Sequence, residues 1–189
     1  MTVIDTALPD VKLIDLRVFR DERGVFLESF QARQYEALLG LRASFVQDNY
    51  SRSKRHVLRG LHFQCKHPQG KLVRVVQGEV YDVVVDVRLA SPMFGRWQGL
   101  ALSHAKPQQL WIPPGYAHGF VVLSDEAGVE YKCTDYYHPE DEACLSWDDR
   151  TLAIDWPVRA PVLSPKDRQG LSLKALQETG KLPVVAGAS

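Results

Sequence analysis

The chain is a succession of short runs in which apolar and polar residues alternate, separated by Gly, Pro and Asp turns. Alternation with period two is the signature of a strand with one buried face. It predicts strands over 13–19, 25–30, 45–51, 57–64, 71–76, 80–88, 97–103, 109–112, 119–123 and 129–137. Asp21-Glu22-Arg23-Gly24 reads as a turn, and Gln77-Gly78 as a tight hairpin. Only two segments carry helical character. One is 31–39, with Gly40 placed to cap its C-terminus. The other opens at Ser164, with Ser164 as the cap, Pro165 in the first position and Asp167 in the third. Strands do not alternate with helices, which excludes a Rossmann-like arrangement. The expectation is a mainly β sandwich or barrel with a few short peripheral helices.

One strand breaks the simple pattern. In 81–88, Tyr81, Val83, Val85 and Val87 fall on one face, and Asp82, Val84, Asp86 and Arg88 on the other. That polar face equally fits the lining of an interior pocket and the solvated outside of a sheet.

Composition narrows the function. The 189 residues suit one domain, 1–189, with 184–189 expected to fray. Lys plus Arg and Asp plus Glu both number 23, so the formal charge is zero. A protein built for nucleic acid or an anionic membrane carries a basic excess, and neither partner is expected. Local basic clusters such as Arg52, Lys54, Arg55 and Arg59 can still hold a small anion. Cys65, Cys133 and Cys144 form no CxxC motif and give an odd count. A disulfide framework and a structural zinc site therefore lack support. The first twelve residues contain no long apolar stretch, and the expected compartment is the cytoplasm.

Two histidines sit in informative settings. His62 lies in Arg59-Gly60-Leu61-His62-Phe63-Gln64, and His118 in Pro114-Gly115-Tyr116-Ala117-His118-Gly119-Phe120. A lone histidine is most often structural; two in Gly-containing strands point more towards a shared site. Pro113-x-Gly115-x-x-His118 resembles the second signature of the cupin superfamily, whose small β-barrels often bind metal. The first cupin signature supplies His-x-His, where this chain has His62-Phe63-Gln64. A neutral amide is a poor ligand for zinc or iron, so no metal site is expected.

A second resemblance runs through the chain. Arg23-Gly24-Val25-Phe26-Leu27-Glu28, Gln47-Asp48-Asn49, Leu58-Arg59-Gly60-Leu61-His62 and Gly70-Lys71-Leu72-Val73-Arg74-Val75 come first. Ser91-Pro92-Met93-Phe94-Gly95, the His118 segment, Tyr131-Lys132-Cys133-Thr134-Asp135-Tyr136-Tyr137 and Ser164-Pro165-Lys166-Asp167 follow. In this order, over about 145 residues, they resemble the dTDP-4-dehydrorhamnose 3,5-epimerase family. Phe63, Met93 and Asp149-Arg150 depart from the family pattern without touching a proton-transfer position.

The resemblance implies a cupin-type jelly-roll β-barrel and a homodimer whose N-terminal strands cross the interface. It implies dTDP-4-keto-6-deoxy-glucose as substrate and no cofactor. A ketone at C4 acidifies the hydrogens on C3 and C5. A base removes one, a donor holds the enolate oxygen, and an acid returns a proton from the opposite face. By resemblance His62 is the base, Asp167 its orienting partner, Tyr131 the acid and Lys71 the enolate stabiliser. An imidazole titrates near pH 6.5 and a phenol near 10, which suits those roles at neutral pH. A cation beside Tyr131 would make it more acidic. Without the family, Asp167 reads as a helix cap, Tyr131 as a half-buried strand tyrosine and Lys71 as a solvated strand end. Arg23, Phe26, Glu28, Gln47, Asn49, Arg59, His118, Tyr137, Glu142 and Lys166 match substrate-binding positions. Arg23 and Arg59 suit a diphosphate, and Tyr137 a stacked thymine. Tyr137 shares strand parity with Tyr131, so both would face one groove. Asp82 is a candidate to fix the ring of His118. Arg59 and His62, three apart, point to opposite faces of an ideal strand. Both reach one site only if the strand bulges, and Gly60 is the position for it.

Overall fold

A computed structural model describes residues 1–40 and 44–183. The early strands are β1 (Thr2–Asp5), β2 (Lys12–Asp15), β3 (Val18–Asp21) and β4 (Gly24–Leu27), followed by helix α1 (Ala32–Leu39). Then come β5 (Gln47–Lys54), β6 (Leu58–Gln64), β7 (Lys71–Gln77), β8 (Glu79–Asp86) and β9 (Trp97–Ser103). The last strands are β10 (Gln108–Ile112), β11 (Tyr116–Val122), β12 (Glu126–Cys133) and β13 (Glu142–Cys144), before helix α2 (Leu173–Glu178). One sheet runs β1-β2-β10-β7-β12-β5 and the other β13-β6-β11-β8-β9, while β3 and β4 form a separate hairpin.

The mainly β expectation holds, and the arrangement is a two-sheet sandwich. No strand ladder among the described residues joins the sheets into a closed barrel. Alternation explains the layers. Val73, Val75, Leu110 and Val129 of the larger sheet meet Val80, Val84, Phe120 and Val122 of the smaller one. The opposite faces carry their own clusters. Leu72 and Trp111 pack with Tyr35 of α1, and Val83, Val85 and Leu61 with Leu173 and Leu176 of α2.

Several boundaries differ from the sequence reading. The single strand over 13–19 is two, β2 and β3, which belong to different sheets. Strands β1 and β13, too short for a periodicity signal, were not expected. The tail helix from Ser164 is only a 3-10 turn, Asp167–Gln169, with α2 following separately. Ser164 does cap that turn, its Oγ accepting from the Asp167 backbone N–H at 3.1 Å. Gly40 caps α1 with φ +64°, as expected. The expected frayed end, 184–189, lies outside the described residues. No helix among the described residues is long and apolar enough to cross a membrane.

Asp82 and Asp86 are fully buried, so the polar face of β8 looks into the sandwich. In β6, Arg59 pairs with Phe120 and His62 with His118, leaving Gly60 and Leu61 opposite Gly119 alone. This bulge turns Arg59 and His62 to the same inner side. Gly60 has φ +126°, and a Cβ there would lie 2.5 Å from Gly119 Cα. Gly60→Ala is therefore expected to cost about 2–3 kcal/mol. Chemical denaturation reads that loss, and an unchanged midpoint would contradict the packing argument.

Candidate active site

A cavity of about 510 Å³ opens between the sheets. Its walls come from inward positions of β5, β6, β7, β11 and β12, with β13 and the Ser164–Asp167 turn at one side. Eleven of the fourteen residues singled out in the sequence line it: His62, Tyr131, Asp167, Lys71, Gln47, Asn49, Arg59, His118, Tyr137, Glu142 and Lys166.

His62 Nε2 lies 2.5 Å from Asp167 Oδ1. Asp167 also accepts from Ser164 Oγ at 2.7 Å, so one carboxylate both orients the ring and closes the capped turn. Asp167 thus contacts both Ser164 of the turn and the His62 ring. Burial pushes the Asp167 carboxyl up, but the hydrogen bonds from His62 and Ser164 outweigh it and hold the group below the usual range. His62 Nδ1 is left facing Glu142 Oε1 at 3.8 Å, beyond hydrogen-bond distance.

Lys71 carries an electrostatic cost. Its side chain is buried, and among the described residues its one hydrogen bond runs to the His62 carbonyl at 3.4 Å. Burial lowers its pKa, with Cys133, Glu142 and Asp82 opposing. An ammonium held this way is short of an anion. Lys71→Met is expected to raise stability by about 1 kcal/mol at neutral pH while abolishing any chemistry that needs the charge. Because the folded pKa is depressed, the unfolded chain binds more protons between that value and 10.5, so wild-type stability rises with pH there. Thermal melts of both proteins against pH test this; a variant less stable than wild type at pH 7 would contradict it.

His118 is buried against Asp82, its Nε2 lying 3.0 and 2.9 Å from the two carboxylate oxygens. This is the pairing expected for Asp82. Tyr131, on the opposite sheet, has a phenol pushed up chiefly by burial, against the pull of Arg59. The expected acidification by a neighbouring cation is therefore outweighed. The phenol keeps its proton well into the alkaline range.

Tyr137 reaches the cavity by another route than expected. Strand β12 ends at Cys133, so the shared parity with Tyr131 does not extend to it. Instead Gln47 Oε1 accepts from the Tyr137 backbone N–H at 2.9 Å, and Gln64 brackets the same loop. The Gln64 amide donates to the His67 and Tyr136 carbonyls and accepts from the His138 N–H. Where a cupin would place a metal ligand, this chain has a buried loop clamp. Ser51, Gln69 and Ser164 also line the cavity. The Ser51 hydroxyl is the one buried side-chain polar atom without a partner among the described residues. Ser51 and Gln69 carried no sequence signal; Ser164 was expected only as a cap and as part of the Ser164–Asp167 family string.

Arg23, Phe26 and Glu28 do not line this cavity. Arg23 and Phe26 lie on the exposed β3–β4 hairpin, where Arg23 pairs with Asp21 at 2.5 Å. Phe26 is 69% exposed, with Phe19 and Val25 uncovered beside it.

His62, Cys144 and Asp167 bring three donor atoms within 4.8 Å of one another. The 2.5 Å separation of Nε2 and Oδ1 leaves no room for an ion between them. Burial, with Asp167 adding to it, pushes the Cys144 thiol up to about 12, so it stays protonated. The geometry is that of a hydrogen-bonded dyad rather than a metal cage.

The dTDP-4-dehydrorhamnose 3,5-epimerase model matches residues 5–175. The chain belongs to this family. It is 57% identical over 165 residues to the dTDP-4-dehydrorhamnose 3,5-epimerase of Pseudomonas aeruginosa, covering 87% of this chain and 91% of that protein. It is 56% identical to the Neisseria gonorrhoeae protein of the same name over 90% of this chain, yet spans about half, 52%, of that relative's length. Its fold matches the dTDP-6-deoxy-D-glucose-3,5-epimerase of Legionella pneumophila, solved in complex with dTDP-4-keto-L-rhamnose. The TM-score there is 0.94, with 52% identity over 98% of this chain and 99% of the other. The sugar nucleotide in the Legionella structure is a ligand of that protein.

Proposed function

We propose that this chain is an isomerase that inverts C3 and C5 of dTDP-4-keto-6-deoxy-D-glucose to give dTDP-4-keto-L-rhamnose. One observation supports it above the others: base and acid candidates stand on opposite sheets across one cavity. His62 belongs to the five-stranded sheet and Tyr131 to the six-stranded one. A flat enolate between them would lose its proton to one side and regain it from the other, and that is inversion.

The steps follow from the side chains. Asp167 accepts a hydrogen bond from the Nε2–H of His62, which leaves the Nδ1 lone pair to take the carbon-bound proton at C3 or C5. The electron pair moves onto the C4 oxygen. Lys71 meets that oxyanion with an uncompensated charge, and His118, fixed by Asp82, adds a donor. Tyr131 returns a proton from the far side. Every step is redox-neutral and uses groups of this chain, which is why we assign no cofactor or metal. Burial holds Lys71 below the usual ammonium range and Tyr131 above the usual phenol range, and we assign the alkaline limb of activity to Lys71.

Arg59, Lys166, Gln47, Asn49, Glu142 and Tyr137 suit the nucleotide end, with Arg59 and Lys166 for the diphosphate and Tyr137 for the base. We assign Arg23, Phe26 and Glu28 to the cavity of a second copy. The uncovered Phe19, Val25 and Phe26 favour such a homodimer. We read the chain as one domain. Three free cysteines suit a reducing cytoplasm, and zero net charge gives nucleic acid no foothold.

Incubation with dTDP-4-keto-6-deoxy-D-glucose, followed by NMR of the product ring, tests the reading. Inversion at both C3 and C5 is expected. Inversion at C3 alone would make the chain a single-centre epimerase, and no turnover would overturn the proposal.

A further inference from the structure

Glu142 sits where it can govern the base, and this role differs from holding substrate. Strand β13 pairs with β6 so that Glu142 lies opposite Gln64 and Cys144 opposite His62. The Glu142 side chain is only 13% exposed. Its Oε2 accepts from Lys166 Nζ at 2.6 Å and from Tyr137 OH at 2.8 Å. Its Oε1 stands 3.8 Å from His62 Nδ1. The imidazole therefore lies between two carboxylates. Asp167 holds one nitrogen, and Glu142 faces the other, the one that receives the proton.

We propose that Glu142 is a positioning residue for the reaction: its carboxylate stabilises the charged His62 ring and relays to it the state of Lys166 and Tyr137. In the free site Lys166 takes most of the carboxylate's charge. A nucleoside diphosphate that draws Lys166 towards its phosphates and stacks on Tyr137 releases that charge to the imidazole. His62 then becomes a stronger base only when the nucleotide end is occupied. The proton moves from the sugar carbon to Nδ1, its electron pair remains in the enolate, and Glu142 changes no bond.

The other groups facing His62 do not substitute for Glu142. Lys71 hydrogen-bonds to the His62 backbone carbonyl rather than to the ring. His118, across the bulge on β11, is committed to Asp82. Cys144 Sγ lies near Asp167, 4.0 Å from Oδ1. Arg59 is tied to Ser53 Oγ at 2.9 Å. The consequence for catalysis rests on the epimerase reading; the coupling of the two side chains does not.

NMR titration of the His62 ring in the full, unliganded chain separates the two. Glu142→Gln is expected to lower its midpoint by about one pH unit, since an opposite charge near 4 Å favours the charged form. Lys166→Met is expected to raise it, and to raise it less when Glu142 is already Gln. Glu142→Asp, which keeps the charge, should stay nearer wild type and guards against a folding artefact. In kinetics the acid limb of kcat/KM should follow the Glu142→Gln midpoint downwards. A higher KM with an unmoved acid limb and an unmoved His62 midpoint would make Glu142 a substrate ligand only and overturn the proposal. The expected titration in a chain without epimerase activity would uphold the coupling and sink the functional reading instead.

Discussion

His62→Ala loses about 10³-fold of its epimerisation rate, with the fold intact. The ring is 24% exposed at the cavity wall, so truncation removes no core packing. General-base catalysis by a placed histidine is worth roughly 10²–10⁴-fold, and in the proposed mechanism His62 takes the first proton at both centres. The variant should also stop exchanging substrate hydrogens with solvent, because no enolate forms. Asp167→Asn should fall in the same direction: an amide at 2.5 Å can present N–H to Nε2 and force the proton onto Nδ1. Rates from NMR of the product, beside melts of each variant, check both. Near wild-type turnover in folded His62→Ala would remove the proposed base.

The second large effect belongs to Tyr131→Phe and has a different signature. The hydroxyl is lost but the base remains, so deprotonation continues. Inversion should drop by about 10²-fold or more, while solvent hydrogen still enters at carbon with retention through His62. The variant thus exchanges without epimerising. With the alkaline limb assigned to Lys71, as proposed, the limb of the residual reaction should stay where it was. Equal loss of exchange and inversion would assign Tyr131 to binding rather than to proton return.

Much of this molecule can be read from its sequence, for identifiable reasons. Gly40 ends α1 because a left-handed residue needs no Cβ, and Gln77-Gly78 turns β7 into β8. Such local requirements leave local marks. The bulge at Gly60 was legible through a conflict: Arg59 and His62 could share a site only if the strand slipped by one residue. What escaped reading depends on contacts distant in sequence. Strand β13 has three residues and exists through its pairing with β6. Gln64 clamps the Tyr137 loop from a strand some seventy positions away, and a lone amide gives no hint of that. The split of the tail into a turn at Asp167–Gln169 and a separate α2 left no mark in the periodicity, and neither did the contact of Asp167 with His62 across the fold. Arg23, Phe26 and Glu28 carried the family's pattern, but one copy of the chain does not bring them to its own cavity.

The most direct test of the central claim is turnover of the 4-keto sugar nucleotide in deuterated water. Base and acid on opposite walls predict one solvent deuterium at C3 and one at C5 of the inverted product. Inverted product without deuterium at either carbon would contradict proton transfer through His62 and Tyr131.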